Sequence, residues 1–79
     1  MQAKNEQCVA FGRSVRRFRA SLGLSQEQLA DRANIHRTYI GGIERGERNP
    51  TLTMIHRLAA VLGVGAARLI EPETMIDED

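Results

Sequence analysis

Residues 24–46, LSQEQLADRANIHRTYIGGIERG, carry the local signals that decide the fold. Ser25 and Gln28 have the spacing of a capping box, which starts a helix at this point. Asn34 tolerates the left-handed backbone conformation that ends a helix and turns the chain sharply. A second helix follows at once and ends at Gly46, since glycine is typical of helix C-termini. The stretch therefore predicts two short helices packed across each other at a tight turn.

The second of these helices has one apolar face and one face suited to contact with another molecule. Ile40 and Ile43 are three residues apart and are expected to face the core. The opposite, outward face carries Arg37, Thr38, Gly41, Gly42 and Arg45. A glycine inside a helix costs about 1 kcal/mol relative to alanine. We therefore interpret the two glycines as positions where the helix backbone approaches a ligand closely.

The two helices, and residues 37–50 (RTYIGGIERGERNP) above all, resemble the helix-turn-helix of the lambda-repressor and Cro-like (Xre) regulators. Within that family the stretch looks especially like the controller proteins of restriction–modification systems. The resemblance covers about residues 11–70. It implies an all-α, five-helix lambda-repressor-like domain that binds a roughly palindromic double-stranded DNA operator as a homodimer. For a controller it further implies a second dimer on adjacent sites and contact with RNA polymerase.

Two side chains at the start of the second helix, the recognition helix of such a motif, are predicted to read base edges. Arg37 is the principal candidate because a guanidinium fork matches the two acceptors of a guanine. Thr38 can meet a thymine methyl group or a phosphate. Six further side chains are assigned to the DNA backbone, three of them (Gln26, Arg48 and Asn49) by the resemblance: Gln26, His36, Tyr39, Arg45, Arg48 and Asn49. Histidine is an unusual choice before the recognition helix, because it is a poor N-cap.

The resemblance also assigns roles to four charged residues. It implies an ion pair between Arg19 and Glu44 that ties the first helix to the third, for which the planar arginine fork is suited. Glu27 and Asp31 match positions that activators of the family use to touch RNA polymerase. Two acids four residues apart on an exposed helix are also typical of a surface that serves only solubility, so both interpretations stay open.

Helices are also predicted on both sides of the motif. After a polar, frayed segment at residues 1–7, the first helix runs to about Ser21 and its apolar stripe is Cys8, Phe11, Val15, Phe18 and Leu22. The fourth begins at Thr51 and ends at Gly63, with an inward stripe of Leu52, Ile55, Leu58, Ala59 and Leu62. A short fifth helix spans about Ala66 to Ile70, before Pro72.

Homodimer formation is expected on physical grounds, because 79 residues bury only a small core. Val64, Leu69 and Ile70 are the candidate interface residues. Leu69 and Ile70 are adjacent and cannot both face one direction on a helix. We expect one of them to enter the core and the other to contact the partner subunit.

Charge and composition narrow the function classes. The net charge is only +1, but residues 71–79 hold five acids and no base, so residues 1–70 carry +6: a basic body with an acidic tail, suited to nucleic acid. With one cysteine, no long apolar run and no signal peptide, we expect one cytoplasmic domain over residues 1–79 and no membrane association. No residue cluster predicts a metal site, a cofactor or catalysis.

Other functions remain open beside a controller. A phage Cro or repressor-like protein would use the same motif on DNA. An antitoxin-type module would use the fourth and fifth helices to bind a toxin, and an enzyme such as a nuclease is the third class considered.

Overall fold

Five helices follow one another in the computed structural model, which describes residues 5–71. They are α1 (Glu6–Ser21), α2 (Gln26–Ala33), α3 (Arg37–Glu44), α4 (Leu52–Leu62) and α5 (Ala66–Ile70). The described part of the chain contains no strand. The all-α, five-helix class predicted from the sequence is confirmed.

Side-chain caps set the helix boundaries, as the sequence predicts. Ser25 Oγ accepts a hydrogen bond from the backbone N–H of Gln28 at 3.0 Å, and the Gln28 side chain accepts from the Ser25 N–H at 2.8 Å. This capping box starts α2. Thr51 Oγ1 accepts from the Met54 N–H at 3.1 Å and starts α4. Asn34 ends α2 in the left-handed conformation, with a φ of 58°.

The first helix begins earlier than the sequence analysis predicts. Asn5 Oδ1 accepts hydrogen bonds from the backbone N–H groups of Gln7 at 2.7 Å and Cys8 at 3.2 Å. The prediction of a frayed segment is therefore wrong for residues 5–7, because this cap satisfies N–H groups that a helix start otherwise leaves without partners. Residues 1–4 and 72–79, which include most of the predicted acidic tail, lie outside the described residues.

All five helices contribute side chains to one core. The fully buried ones are Val15, Leu29, Ile40, Ile43, Leu58 and Leu69. The smaller side chains of Ala30, Ala33 and Ala59 complete the contact between α2, α3 and α4. The apolar face predicted for α3, Ile40 and Ile43, is thus found where it was expected, and it holds α3 against the body of the domain.

The backbones of α1 and α3 lie close together at Gly12. A Cβ atom built on Gly12 would overlap the backbone carbonyl oxygen of Ile43 and lie 3.0 Å from that of Glu44. Both obstacles are backbone atoms, so α3 would have to move away to admit a side chain. Periodicity does not indicate this position, because only the three-dimensional crossing reveals which residue of α1 lies against α3.

Two leucines predicted to face inward are exposed. Leu22 is 51% exposed and Leu52 is 67% exposed, so both core predictions are wrong. Leu22 is the C-cap residue of α1 and Leu52 is the first residue of α4. Each apolar stripe therefore extends one residue beyond the area that the neighbouring helices cover, which periodicity by itself does not reveal.

The two adjacent apolar residues of α5 lie in different surroundings, as expected. Leu69 is fully buried in the core of its own chain, whereas Ile70 is 49% exposed. The assignment of Leu69 to a dimer interface is therefore wrong, since its side chain is enclosed by α5 and the core helices. Val64 is half-buried, and Val64 and Ile70 remain the predicted interface residues.

Candidate DNA interface

The start of α3 is fixed by a histidine cap. His36 Nδ1 accepts a hydrogen bond from the backbone N–H of Thr38 at 3.1 Å, so the ring nitrogen takes the place of the oxygen of a serine or aspartate cap. The expectation that His36 caps poorly is corrected by this geometry. The cap places Arg37 and Thr38 in the first turn of α3, where both are exposed.

Arg37 forms an ion pair with Glu27, an acid for which a contact with RNA polymerase was predicted. Arg37 Nη1 lies 3.3 Å from Glu27 Oε1, and the two side chains are 65% and 70% exposed. Because exposed pairs contribute between about 0 and 1 kcal/mol, this contact adds little to the stability of the fold. Glu27 thus lies beside the predicted base-reading side chain at the edge of α2.

An open concavity separates the start of α2 from the outer face of α3. The residues that line it are Arg19, Ser25, Gln26, Glu27, Arg37, Thr38, Gly41 and Arg45. The structure therefore brings together four of the side chains predicted to contact DNA: Gln26, Arg37, Thr38 and Arg45. Three arginines line the concavity, and each lies beside an acid: Arg19 beside Glu44, Arg37 beside Glu27, and Arg45 beside Glu47. The pairs of Arg37 and Arg45 are exposed, so phosphate oxygens can compete with the acids for these two guanidinium groups.

The predicted ion pair between Arg19 and Glu44 lies at this concavity, which Arg19 lines. Arg19 Nε donates to Glu44 Oε2 at 2.6 Å and Nη2 donates to Oε1 at 2.9 Å, a two-bond fork. Nη1 of the same guanidinium donates to the backbone carbonyl of Leu24 at 2.7 Å. The hydrogen bonds and charge of Glu44 raise the pKa of Arg19, although burial of the guanidinium opposes this. The pair ties α1 to α3, as expected.

Gln26 joins the same network. Its Nε2 donates a hydrogen bond to Glu44 Oε1 at 2.9 Å, while the residue stays exposed at the edge of the concavity. This bond therefore ties the Gln26 side chain to α3. No pattern in the sequence indicates this bond, because Gln26 and Glu44 belong to different helices and are 18 positions apart.

Both glycines of α3 are covered by side chains in this structure, which the sequence does not indicate. Both Gly41 and Gly42 are buried beneath long side chains of this same domain. A Cβ on Gly41 would lie 3.1 Å from Arg45 Nη1, and one on Gly42 would lie 2.9 Å from Arg48 Cγ. The interpretation that these glycines admit a ligand directly against the helix backbone stays a prediction, and it requires these side chains to move aside. Arginine side chains occupy that space.

The loop after α3 carries the remaining predicted backbone contacts. Arg48 lies over the half-buried ring of Tyr39, with Cζ 5.2 Å from the ring centroid. Arg45 pairs with Glu47 at 3.1 Å between Nε and Oε1, and both are exposed. Arg48 and the neighbouring Asn49 are exposed as well. Arg45 and Arg48 thus lie near the C-terminal end of the recognition helix, over Gly41 and Gly42 respectively.

Residues capable of metal binding do not gather in the described region. Among residues 5–71, no group of three or more histidine, cysteine, aspartate or glutamate side chains could hold a metal ion. His36 is used as a cap, and His56 Nδ1 lies 3.1 Å from the Leu52 carbonyl oxygen. Cys8 is buried. None of the described helices has the length and apolar character needed to cross a membrane.

Comparison with known proteins identifies the same motif. Residues 15–69 match the family model described as Helix-turn-helix. Control protein C.BamHI of Bacillus amyloliquefaciens is 44% identical over 68 residues, which cover 85% of this chain and 84% of that protein. The immunity repressor protein of Bacillus phage phi105 is 35% identical over 90% of this chain, and the chain spans about half of that protein (49%).

A solved structure of a similar protein has the same fold. The restriction–modification controller protein C.AhdI from Aeromonas hydrophila superposes with a TM-score of 0.79 at 42% identity, over 82% of this chain and 98% of that one. The fold and the basic face of α3 define a DNA-binding regulator. The chain belongs to the helix-turn-helix family, in its lambda-repressor and Cro-like (Xre) branch. Members of this family regulate transcription by binding DNA and are not enzymes.

Proposed function

We propose that this chain is the controller of a restriction–modification operon, which binds a roughly palindromic operator as a homodimer with α3 in the major groove. The observation that carries this proposal is the arrangement around α3: exposed Arg37 and Thr38 at its capped start, with Arg45 and Arg48 at its other end. Such a helix presents base-reading side chains between two sets of phosphate contacts.

The proposed contacts divide into two groups. Arg37 reads a guanine edge, and Thr38 meets a thymine methyl group or a phosphate. The DNA backbone is held by side chains on both sides of the groove, together with the N-terminal backbone N–H groups of α2. These side chains are Gln26, His36, Tyr39, Arg45, Arg48 and Asn49. The bond from Gln26 to Glu44 supports this division, because it holds an amide at the edge of the concavity.

The homodimer is proposed to form through the end of the domain that contains α5. Ile70 is 49% exposed and lines an apolar groove with Cys8, Phe11, Pro50 and Ile55. An exposed apolar patch of this kind on so small a domain is typical of an interface. Val64, half-buried before α5, is the second proposed contact. Two-fold symmetry then presents one α3 to each half-site, about 34 Å apart.

Regulation by a controller requires partners beyond one operator. We propose that a second dimer binds an adjacent site and that an acid of α2 contacts RNA polymerase, in the cytoplasm. Asp31 and Glu27 are both exposed, but Glu27 lies 3.3 Å from Arg37 at the DNA-facing edge. Asp31 is therefore the better-placed acid when the operator is occupied. The similarity to C.BamHI, over 84% of that protein, supports the controller assignment.

A phage repressor is the second candidate. The 35% identity to the phi105 immunity repressor over 90% of this chain favours it. The same α3 contacts would then serve an operator of different arrangement. The present chain would correspond to about half of such a protein.

Selection from a pool of random-sequence duplexes tests the proposal. The selected sequences should converge on a two-fold symmetric site, and anisotropy titrations should show preference for it over a scrambled duplex of the same length. Failure to enrich any sequence would overturn sequence-specific binding. Enrichment of a single half-site without symmetry would overturn the homodimer on a palindrome.

A further inference from the structure

Gly42 lies beneath the side chain of Arg48. A Cβ atom on Gly42 would come within 2.9 Å of Arg48 Cγ, 3.0 Å of Nε and 3.5 Å of Cδ. These three atoms are the nearest neighbours of that position, and all belong to one flexible side chain. Because Gly42 has no side chain, Arg48 can lie across the surface of α3 at this position.

The backbone at the end of α3 brings Arg48 back over the helix. The Glu47 N–H donates to the Gly42 carbonyl oxygen at 2.9 Å, which folds the loop against the last turn. Gly46 has a φ of +76°, a conformation that L side chains rarely adopt. With the backbone reversed in this way, the Arg48 guanidinium reaches the ring of Tyr39, 5.2 Å from its centroid.

We propose that Gly42 is a positioning residue for the contact of Arg48 with the DNA backbone. The absence of a side chain at Gly42 allows Arg48 to lie on Tyr39 with its guanidinium held in one direction before DNA binds. An arginine ordered in advance loses less rotamer freedom on binding a phosphate. This inference depends on the proposed function, because it assumes that Arg48 meets DNA.

A glycine at this position has two explanations that an experiment can distinguish. If Gly42 allowed the helix backbone itself to approach DNA, an added methyl group would weaken binding whether or not Arg48 is present. If Gly42 acts through Arg48, the methyl group matters only while Arg48 is there. A double-mutant cycle distinguishes these explanations, since residues that act as one unit are not additive.

The test measures affinity for a non-sequence-specific duplex by anisotropy, at several salt concentrations, in the parent, Gly42→Ala, Arg48→Ala and the double variant. Gly42→Ala is expected to weaken binding about 3–10-fold, the effect of one long side chain ordered only on binding. Its thermal midpoint should stay unchanged or rise by about 4–8 °C, because alanine is the better helix former. Gly42→Ala in the Arg48→Ala background should change affinity no further.

A second measurement does not involve DNA. The side-chain N–H signal of Arg48 should be shifted upfield in NMR spectra of the parent by the Tyr39 ring, and the shift should vanish in Gly42→Ala and in Tyr39→Leu. Gly41→Ala is the matched control in the same helix. Its Cβ would meet Arg45 and Gln26 instead, so it should leave the Arg48 signal in place.

Several results would overturn the inference. The first is a loss of affinity from Gly42→Ala that is equal with and without Arg48. The second is a Gly42→Ala variant that binds the duplex as tightly as the parent. The third is an NMR signal of the Arg48 side chain that is the same in all variants. A different result would instead reject the assignment of Arg48 to the DNA backbone in the proposed function: an Arg48→Ala variant that binds every duplex as tightly as the parent. The two failures are therefore distinguishable.

Discussion

Glu44 accepts two hydrogen bonds from the guanidinium of Arg19, at 2.6 and 2.9 Å, and a third from Gln26 at 2.9 Å. The Glu44 side chain is 4% exposed and that of Arg19 is 15% exposed. One carboxylate thus connects α1 to the recognition helix and also holds a proposed DNA-contacting side chain of α2. Fold stability and the geometry of the DNA interface are coupled through this single group.

Loss of the Glu44 carboxylate should therefore destabilise the domain strongly. Glu44→Ala leaves the Arg19 guanidinium largely buried without its acid, which should cost about 3–5 kcal/mol. For a domain of this size the thermal midpoint should fall by roughly 12 °C or more. Glu44 raises the pKa of Arg19, so the contribution of the charged arginine is present at neutral pH and is lost as the pH rises above the usual arginine range.

Glu47→Ala is the matched control for that prediction. Glu47 pairs with Arg45 at 3.1 Å, but the two side chains are 47% and 58% exposed, so its removal should change stability by under about 1 kcal/mol. Equal, small shifts in both variants would show that the Arg19 pair contributes no more than a surface contact.

The cap at the start of α3 gives a second prediction. His36→Ala removes the acceptor for the Thr38 N–H and should destabilise the domain by about 0.5–2 kcal/mol. His36→Asn should restore most of that stability, because asparagine is a strong N-cap. Chemical denaturation of the three proteins checks this. If alanine and asparagine give the same midpoint, the cap observed at His36 does not stabilise α3.

The homodimer gives a third prediction. Ile70→Glu places a charge in the apolar groove at the end of α5 and should shift sedimentation at micromolar concentration from dimer to monomer. Leu52→Glu is the control, since Leu52 is even more exposed, at 67%, but does not line that groove. If only Leu52→Glu dissociates the protein, the interface lies on the α4 side instead.

Local chemistry explains why the central motif was predictable. Ser25 with Gln28, and the left-handed Asn34, act within a few residues of the backbone groups that they satisfy. Periodicity likewise identified Ile40 and Ile43 as core residues. Such signals are complete in the sequence, so the position of the recognition helix followed from them.

Interactions between distant segments explain what was missed. Gly12 is required by the backbone of α3, about thirty positions away, and Gly42 is covered by a loop arginine that follows the helix. Leu22 and Leu52 continue an apolar stripe but lie beyond the helices that cover it. In each instance the surroundings of the residue are set by a different secondary-structure element. A sequence pattern within one helix does not show where that other element lies.

The division between base reading and backbone contact gives the last prediction. Arg37→Ala should lose about 1–3 kcal/mol per half-site on the preferred operator and should discriminate less among bases at one symmetric position. Arg48→Ala should weaken specific and non-specific duplexes alike, and lower the salt dependence by about one unit of log–log slope for each phosphate that the arginine neutralises. Anisotropy titrations against the operator, single-base variants and a scrambled duplex measure both effects.

Glu27 sharpens this comparison because its carboxylate lies 3.3 Å from Arg37. Glu27→Gln removes the charge that competes with phosphates for the Arg37 guanidinium, so non-specific affinity should rise and preference for the operator should fall. Asp31→Asn, on the same helix, is the control and should leave both affinities unchanged. If Arg37→Ala weakens every duplex equally while Arg48→Ala alters base preference, the two arginines have been assigned the wrong way round. The placement of the start of α3 in the major groove would then be wrong.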